Sequence, residues 1–224
     1  MIQLTPAEAR ALGVLVEKST TTPEQYPLSL NALTAGCNQR NNREPVMALT
    51  DDEVFDAVES LRAKGLVIRI EAGSGSRVHR FRHNATDALH VRAGELAVLA
   101  ELLLRGPQTQ GELRGRASRM HPMETLDVVR DMLRALSERP EPLVRQLPPA
   151  PGSRAEQYVQ LLAPDAHEVE IAPTACAPDE AGATPKITET GGGLADRVAK
   201  LEAEVAQLRE SLNRLATSLG ESAQ

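Results

Sequence analysis

The chain repeats itself, and the repeat limits what it can fold into. Gly65 to Asn84 reads GLVIRIEAGSGSRVHRFRHN, and Pro142 to Leu162 reads PLVRQLPPAPGSRAEQYVQLL. Leu66-Val67 matches Leu143-Val144, Gly75-Ser76-Arg77 matches Gly152-Ser153-Arg154, and Phe81 matches Tyr158, all at one offset of 77 residues. Each copy reads as a strand, a Gly/Ser/Pro turn and a returning strand. In the first copy Leu66, Ile68 and Ile70 alternate, which predicts one inward face for the first strand. Val78 and Phe81 fall on opposite parity, which predicts a bulge or an edge in the second.

Three helical patterns precede each hairpin. Thr5-Pro6-Ala7-Glu8 combines a cap, a proline at the first helical position and a capping-box acid. Leu12, Leu15 and Val16 form its inward face. Ser29 is placed to cap a second helix, with Leu30, Leu33, Thr34 and Cys37 on one side. Thr50-Asp51-Asp52-Glu53 is another capping box, with Leu49 and Val54 at staple spacing and Gly65 as the stop. The order then recurs. Arg92 to Arg105 is a first helix, whose ELAVL (Glu95 to Leu99) echoes ALGVL (Ala11 to Leu15). Thr109-Gln110-Gly111-Glu112 boxes the second helix. Pro122 to Glu138 is the third, with Leu126, Val129, Leu133 and Leu136 inward. A three-helix unit closed by a hairpin is a winged helix. The expected fold is mainly α with small β-hairpins (α+β): winged helices at 1–86 and 87–163.

Beyond residue 163 the character changes. Pro164, Pro173, Pro178, Pro185 and Gly191-Gly192-Gly193 lie among Ala, Thr and acids, which predicts a disordered linker over 164–193. Leu194, Val198, Leu201, Val205, Leu208, Leu212, Leu215 and Leu219 then alternate spacings of four and three. Val at a positions and Leu at d predict a parallel coiled-coil dimer over 194–220. Arg197 with Glu202, and Glu204 with Arg209, fit as g–e′ pairs in that register.

Charge, cysteine and hydropathy exclude several classes. The net charge is −6, but residues 1–165 hold 20 basic and 21 acidic side chains while 166–224 hold 5 and 10. The acidity belongs to the tail, and local patches decide whether phosphates are contacted. Two distant cysteines, Cys37 and Cys176, make no disulfide framework. Residues 1–20 lack a signal-peptide pattern and no apolar run is long enough for a bilayer, so a cytoplasmic protein without membrane contact is expected. Without Trp, and with aromatics at only 2%, the cores must be aliphatic.

The loop CNQRNNREPV, Cys37 to Val46, resembles a signature of the YceH family of bacterial proteins. LTPAEARALGVLVEKS, Arg119-Met120-His121-Pro122 and the closing YVQLL add to the likeness, which spans Met1 to Leu162. The resemblance implies a tandem winged-helix fold. It brings no catalytic, cofactor or ligand residues to this sequence.

Read by itself, this loop lies at the turn of a helix-turn-helix, where backbones and side chains touch phosphates. Asn38, Gln39, Arg40, Asn41, Asn42 and Arg43 are candidates, with Arg114, Arg116 and Arg119 at the equivalent point of the second unit. Arg69, Arg77, Arg80 and Arg82 are candidates on the wing. The competing expectation is that these arginines pair with nearby acids and the asparagines make Asx turns. The third helices oppose groove insertion. DDEVFDAVE, Asp51 to Glu59, holds five acids and no base, and phosphates repel carboxylates. His79 and His83 sit at ligand spacing on a strand without a supporting Cys or carboxylate pair, so no metal site is expected. Cys37 reads as a buried structural thiol. The expectation is a non-enzymatic, cofactor-free dimer that is DNA-associated or regulatory. Its alternative is a protein-interaction scaffold presenting the acidic third helices.

Overall fold

The computed structural model describes residues 2–71, 79–148 and 155–167. Arg77, Cys176, residues 168–193 of the expected linker and the expected coil lie outside these residues. Residues 1–173 form one compact unit. Among the described residues the architecture is α+β, with seven α-helices and two small antiparallel sheets.

The first half runs α1 (Pro6–Thr21), β1 (Leu28–Ser29), α2 (Leu30–Cys37), α3 (Asp51–Ala63), β2 (Val67–Ile70) and β3 (Arg80–His83). After α4 (Ala85–Leu89) the order returns: α5 (Ala93–Arg105), β4 (Gln108–Thr109), α6 (Gln110–Ala117), α7 (Leu126–Ser137), β5 (Val144–Leu147) and β6 (Gln157–Gln160). Both sheets have the returning hairpin strand in the middle, in the orders β1-β3-β2 and β4-β6-β5. Their registers agree at the sequence offset: Val67 opposes His83 as Val144 opposes Gln160, and Arg69 opposes Phe81 as Gln146 opposes Tyr158.

Local chemistry explains where the helices begin. Thr5 accepts from the Glu8 N–H at 3.3 Å, and Glu8 accepts from the Thr5 N–H at 2.7 Å. The same reciprocal bonds close Thr50 with Glu53 and Thr109 with Glu112. They satisfy donors that a helix start would otherwise leave open. Gly65, at φ +74°, ends the turn after α3 in the left-handed region.

Several expectations need correction. β3 is the central strand rather than an edge, and its pairing with β2 is unbroken over the described residues. Leu66 is buried as expected and Ile68 half-buried, but Ile70 is exposed, because within β2 it is Val67, on the face of Phe81, that meets the core. The third helix of the second half starts at Leu126 with Thr125 as its cap, not at Pro122. Leu126 therefore sits in the first turn, 47% exposed instead of inward. The two-residue strands β1 and β4 and the short α4 have too little pattern to announce themselves. Pro164–Ala166, placed by the sequence in the linker, is a 3-10 turn with Ala166 buried.

The core runs without interruption through both halves. At its centre α1 lies against α5. Both helices are buried nearly all round, from Ala9 to Val16 and from Leu96 to Leu104. Helices of that kind occupy the middle of a fold. At their contact a Cβ built on Gly13 would lie 2.9 Å from Leu104 Cδ2.

Candidate functional site

The loop after α2 does not simply project into solvent. The Asn38 carboxamide donates to Leu49 O at 2.7 Å and accepts from Leu49 N–H at 2.8 Å, cinching the loop at its base. Arg10 of α1, 1% exposed, donates to Cys37 O at 3.0 Å and Pro45 O at 2.6 Å. Glu44 N–H donates to Leu104 O at 2.9 Å, tying the loop to the second half.

Arg43 is 3% exposed and its guanidinium is fully engaged. It grips Glu17 with two donors at 2.5 and 3.3 Å, and also bonds Gly36 O, Asn42 O and Gln39 Oε1. Arg43 is therefore removed from the phosphate-contacting set. The reason is physical: Glu17 is itself buried, at 1% exposure, and a buried carboxylate needs a paired cation. Burial raises the Glu17 carboxyl, but Arg43 and Arg119 outweigh it and hold the group below the usual carboxylate range.

Arg119, likewise predicted for phosphate, bridges the halves instead. It bonds Glu17 on α1 and Glu101 on α5, the latter at 2.8 Å. Arg105 faces Glu101 at 2.8 Å through Nε and donates to Asn42 through Nη2. Two buried acids, one from each central helix, thus hold Arg43, Arg105 and Arg119 together in a seam. Glu17 and Glu101 stand at the offset that aligns ALGVL with ELAVL. Extending that echo by two residues finds the pair, a signal the sequence reading passed over along with Arg10 and Arg105.

Other candidates divide into engaged and open groups. Arg116 pairs with Glu112 at 3.2 Å and donates to Gln108. Arg69 lies between Glu59 and Glu71. Arg80 is exposed and donates to Pro27 O at 2.8 Å. Among the described residues the side chains of Arg40, Asn41, Arg82 and Arg114 are exposed and make no hydrogen bond or ion pair. Arg80 and Arg82 share the outer face of β3, opposite Ile70 and Ile68. Burial pushes the Cys37 thiol up to about 12 despite Arg10 and Arg43 nearby, so it is not a thiolate nucleophile at neutral pH. No three His, Cys, Asp or Glu side chains among the described residues are grouped to hold a metal ion. No helix among them is long and apolar enough to cross a membrane.

A doubled α+β unit, locked by an arginine–glutamate seam and carrying an asparagine-rich arginine loop, is the class of protein these features define. The family model described as "Protein of unknown function, DUF480" matches residues 4–153. The chain is 44% identical to a UPF0502 protein of Shewanella halifaxensis, over 96% of this chain and 99% of that one. It is 45% identical to a UPF0502 protein of Leptothrix cholodnii (97% and 96% covered), and 48% to one of Geobacter metallireducens (90% and 88%). The chain belongs to this DUF480/UPF0502 family, the YceH type.

Proposed function

We propose that the chain is a non-enzymatic, DNA-associated regulatory protein built from two winged helices. The repeated order of helix, strand, helix, helix and hairpin supports the winged-helix reading, with the short first strand joined to the returning one in both copies. One observation carries the nucleic-acid reading: Arg80 and Arg82 stand together on the outward face of β3. Arg114 on α6 supplies a further open guanidinium. Such groups fix a duplex through its phosphates without reading its sequence.

The test is fluorescence anisotropy of the full chain with random duplex DNA at low and physiological salt. Binding should fall steeply with salt. Replacing Arg80 and Arg82 together by Ala should flatten the log–log salt slope by about 1.8, at roughly 0.9 per phosphate contact. No binding even at low salt would end this reading.

A second reading has its own support. The outward face of α3 presents Asp51, Asp52 and Asp56 around Phe55, which is 39% exposed. An apolar anchor ringed by carboxylates suits a basic protein partner better than a phosphate backbone. Failure of DNA binding would direct the search there. For assembly, the alternating spacing of Leu194 to Leu219 supports a parallel dimer. Truncation after His167 should then halve the mass seen by light scattering, and a truncated dimer would place the interface elsewhere.

A further inference from the structure

Beside the seam lies an open concavity of about 680 Å³, lined by the turn loop from Arg40 to Glu44 and by Arg105 and Arg116. Its wall is mostly polar, and its size falls among small-molecule sites. One side comes from the turn loop of the first half and the other from α5 and α6 of the second.

The charges around it do not balance. Arg10, Arg43, Arg105 and Arg119 are four cations. The acids acting on them are Glu17, Glu101, Glu44 and, shared with Arg116, Glu112. Arg10 has only carbonyl oxygens as bonded partners. Arg116 is matched by Glu112, and Arg40 adds one more positive charge at the rim. Arg105 shows the result. Burial lowers its affinity for a proton, and repulsion from Arg116, Arg119 and Arg43 lowers it further against the pull of Glu101. A partly dry site with surplus positive charge is stabilised by an anion. Guanidinium forks from several directions match the oxygens of a phosphoryl group.

We propose that this concavity binds the phosphate group of a small metabolite, held by Arg40, Arg105 and Arg116, and so couples the two halves of the molecule. The ligand class is a nucleotide or another compact organic phosphate. It goes beyond the wing surface, since none of these residues lies on β2 or β3. A ligand here touches both halves at once, which gives a regulator a place to sense a metabolite.

The experiment is isothermal titration calorimetry of the full-length protein with sodium pyrophosphate and, separately, with ATP, against sodium chloride at matched ionic strength. Saturable binding of either probe is expected. Arg40→Ala, at an exposed residue without partners, should weaken it about tenfold or more, as loss of a charge-assisted bond does. Arg116→Gln should weaken it comparably, while Arg82→Ala should leave it unchanged. Thermal unfolding of each variant without ligand confirms that the fold is intact. Absence of saturable binding, or affinity unchanged by Arg40→Ala and Arg116→Gln, would overturn the proposal. Duplex DNA that displaces bound pyrophosphate would overturn it too, by assigning these arginines to a nucleic-acid surface.

Discussion

Glu17 and Glu101 are the residues on which the seam turns. Each is buried, each lies on a central helix, and Arg119 reaches both. Removing one cation leaves a carboxylate short of its partner in a dry place. Arg43→Ala should therefore cost about 3–5 kcal/mol in urea denaturation, the range for breaking a buried pair. Arg40→Ala, only three residues away, should leave the urea midpoint where it was. A loss under 1 kcal/mol for Arg43→Ala would mean that Arg119 alone suffices for Glu17. The sequence marks this loop as unusual without saying which arginine faces inward. Asn38, Arg40 and Arg43 look alike on paper. Only the positions of Glu17, Leu49 and Leu104 separate the clasp from the open guanidinium.

At the scale of elements, the boxed helix starts were legible, while the start of α7 and the parity of β2 were not. Thr5, Thr50 and Thr109 each stand three residues before a glutamate, and that spacing suffices to fix a helix start. Strands β1 and β4 are two residues long and exist because β3 and β6 offer free edges to pair with. No pattern within Leu28–Ser29 or Gln108–Thr109 announces that. The face of β2 depends on what stacks below it: Leu66 is buried as its alternation with Ile68 and Ile70 suggests, but Ile70 is exposed and Val67 takes the core side. Packing between helices gives a paired prediction. Gly13→Val would drive a branched side chain into Leu104 at the α1–α5 contact and should cost about 1–3 kcal/mol. Gly115→Ala on α6 meets nothing within 4 Å and should stabilise the protein by about 0.5–1 kcal/mol, the helix preference for Ala. Chemical denaturation of both variants checks the sign of each.

The whole molecule should lose stability to acid in two stages. Burial holds the His83 and His167 rings below the usual histidine range, so the fold prefers them neutral. Their contribution is complete above the unfolded value of about 6.5 and fades as pH falls below it, because the unfolded chain takes up protons first. Glu8 and Glu17 are held low: burial opposes this, but Lys64, Ser60 and Thr5 at Glu8, and the arginines at Glu17, prevail. Their contribution is complete above about pH 4.3 and is lost below it. Urea midpoints measured from pH 8 to pH 3 should fall first below 6.5 and again below 4.3. A flat profile between pH 8 and 5 would take the histidines out of the account.

The continuous core and its shared arginine have a further consequence. A chain made of two similar units ordinarily keeps the option of shedding one. Here each unit alone would expose the leucine-rich side of its central helix, and the first would also lose Arg119 from its buried Glu17. The doubling works as a ratchet: once the two central helices had come to bury one another, neither copy could be lost without uncovering the other.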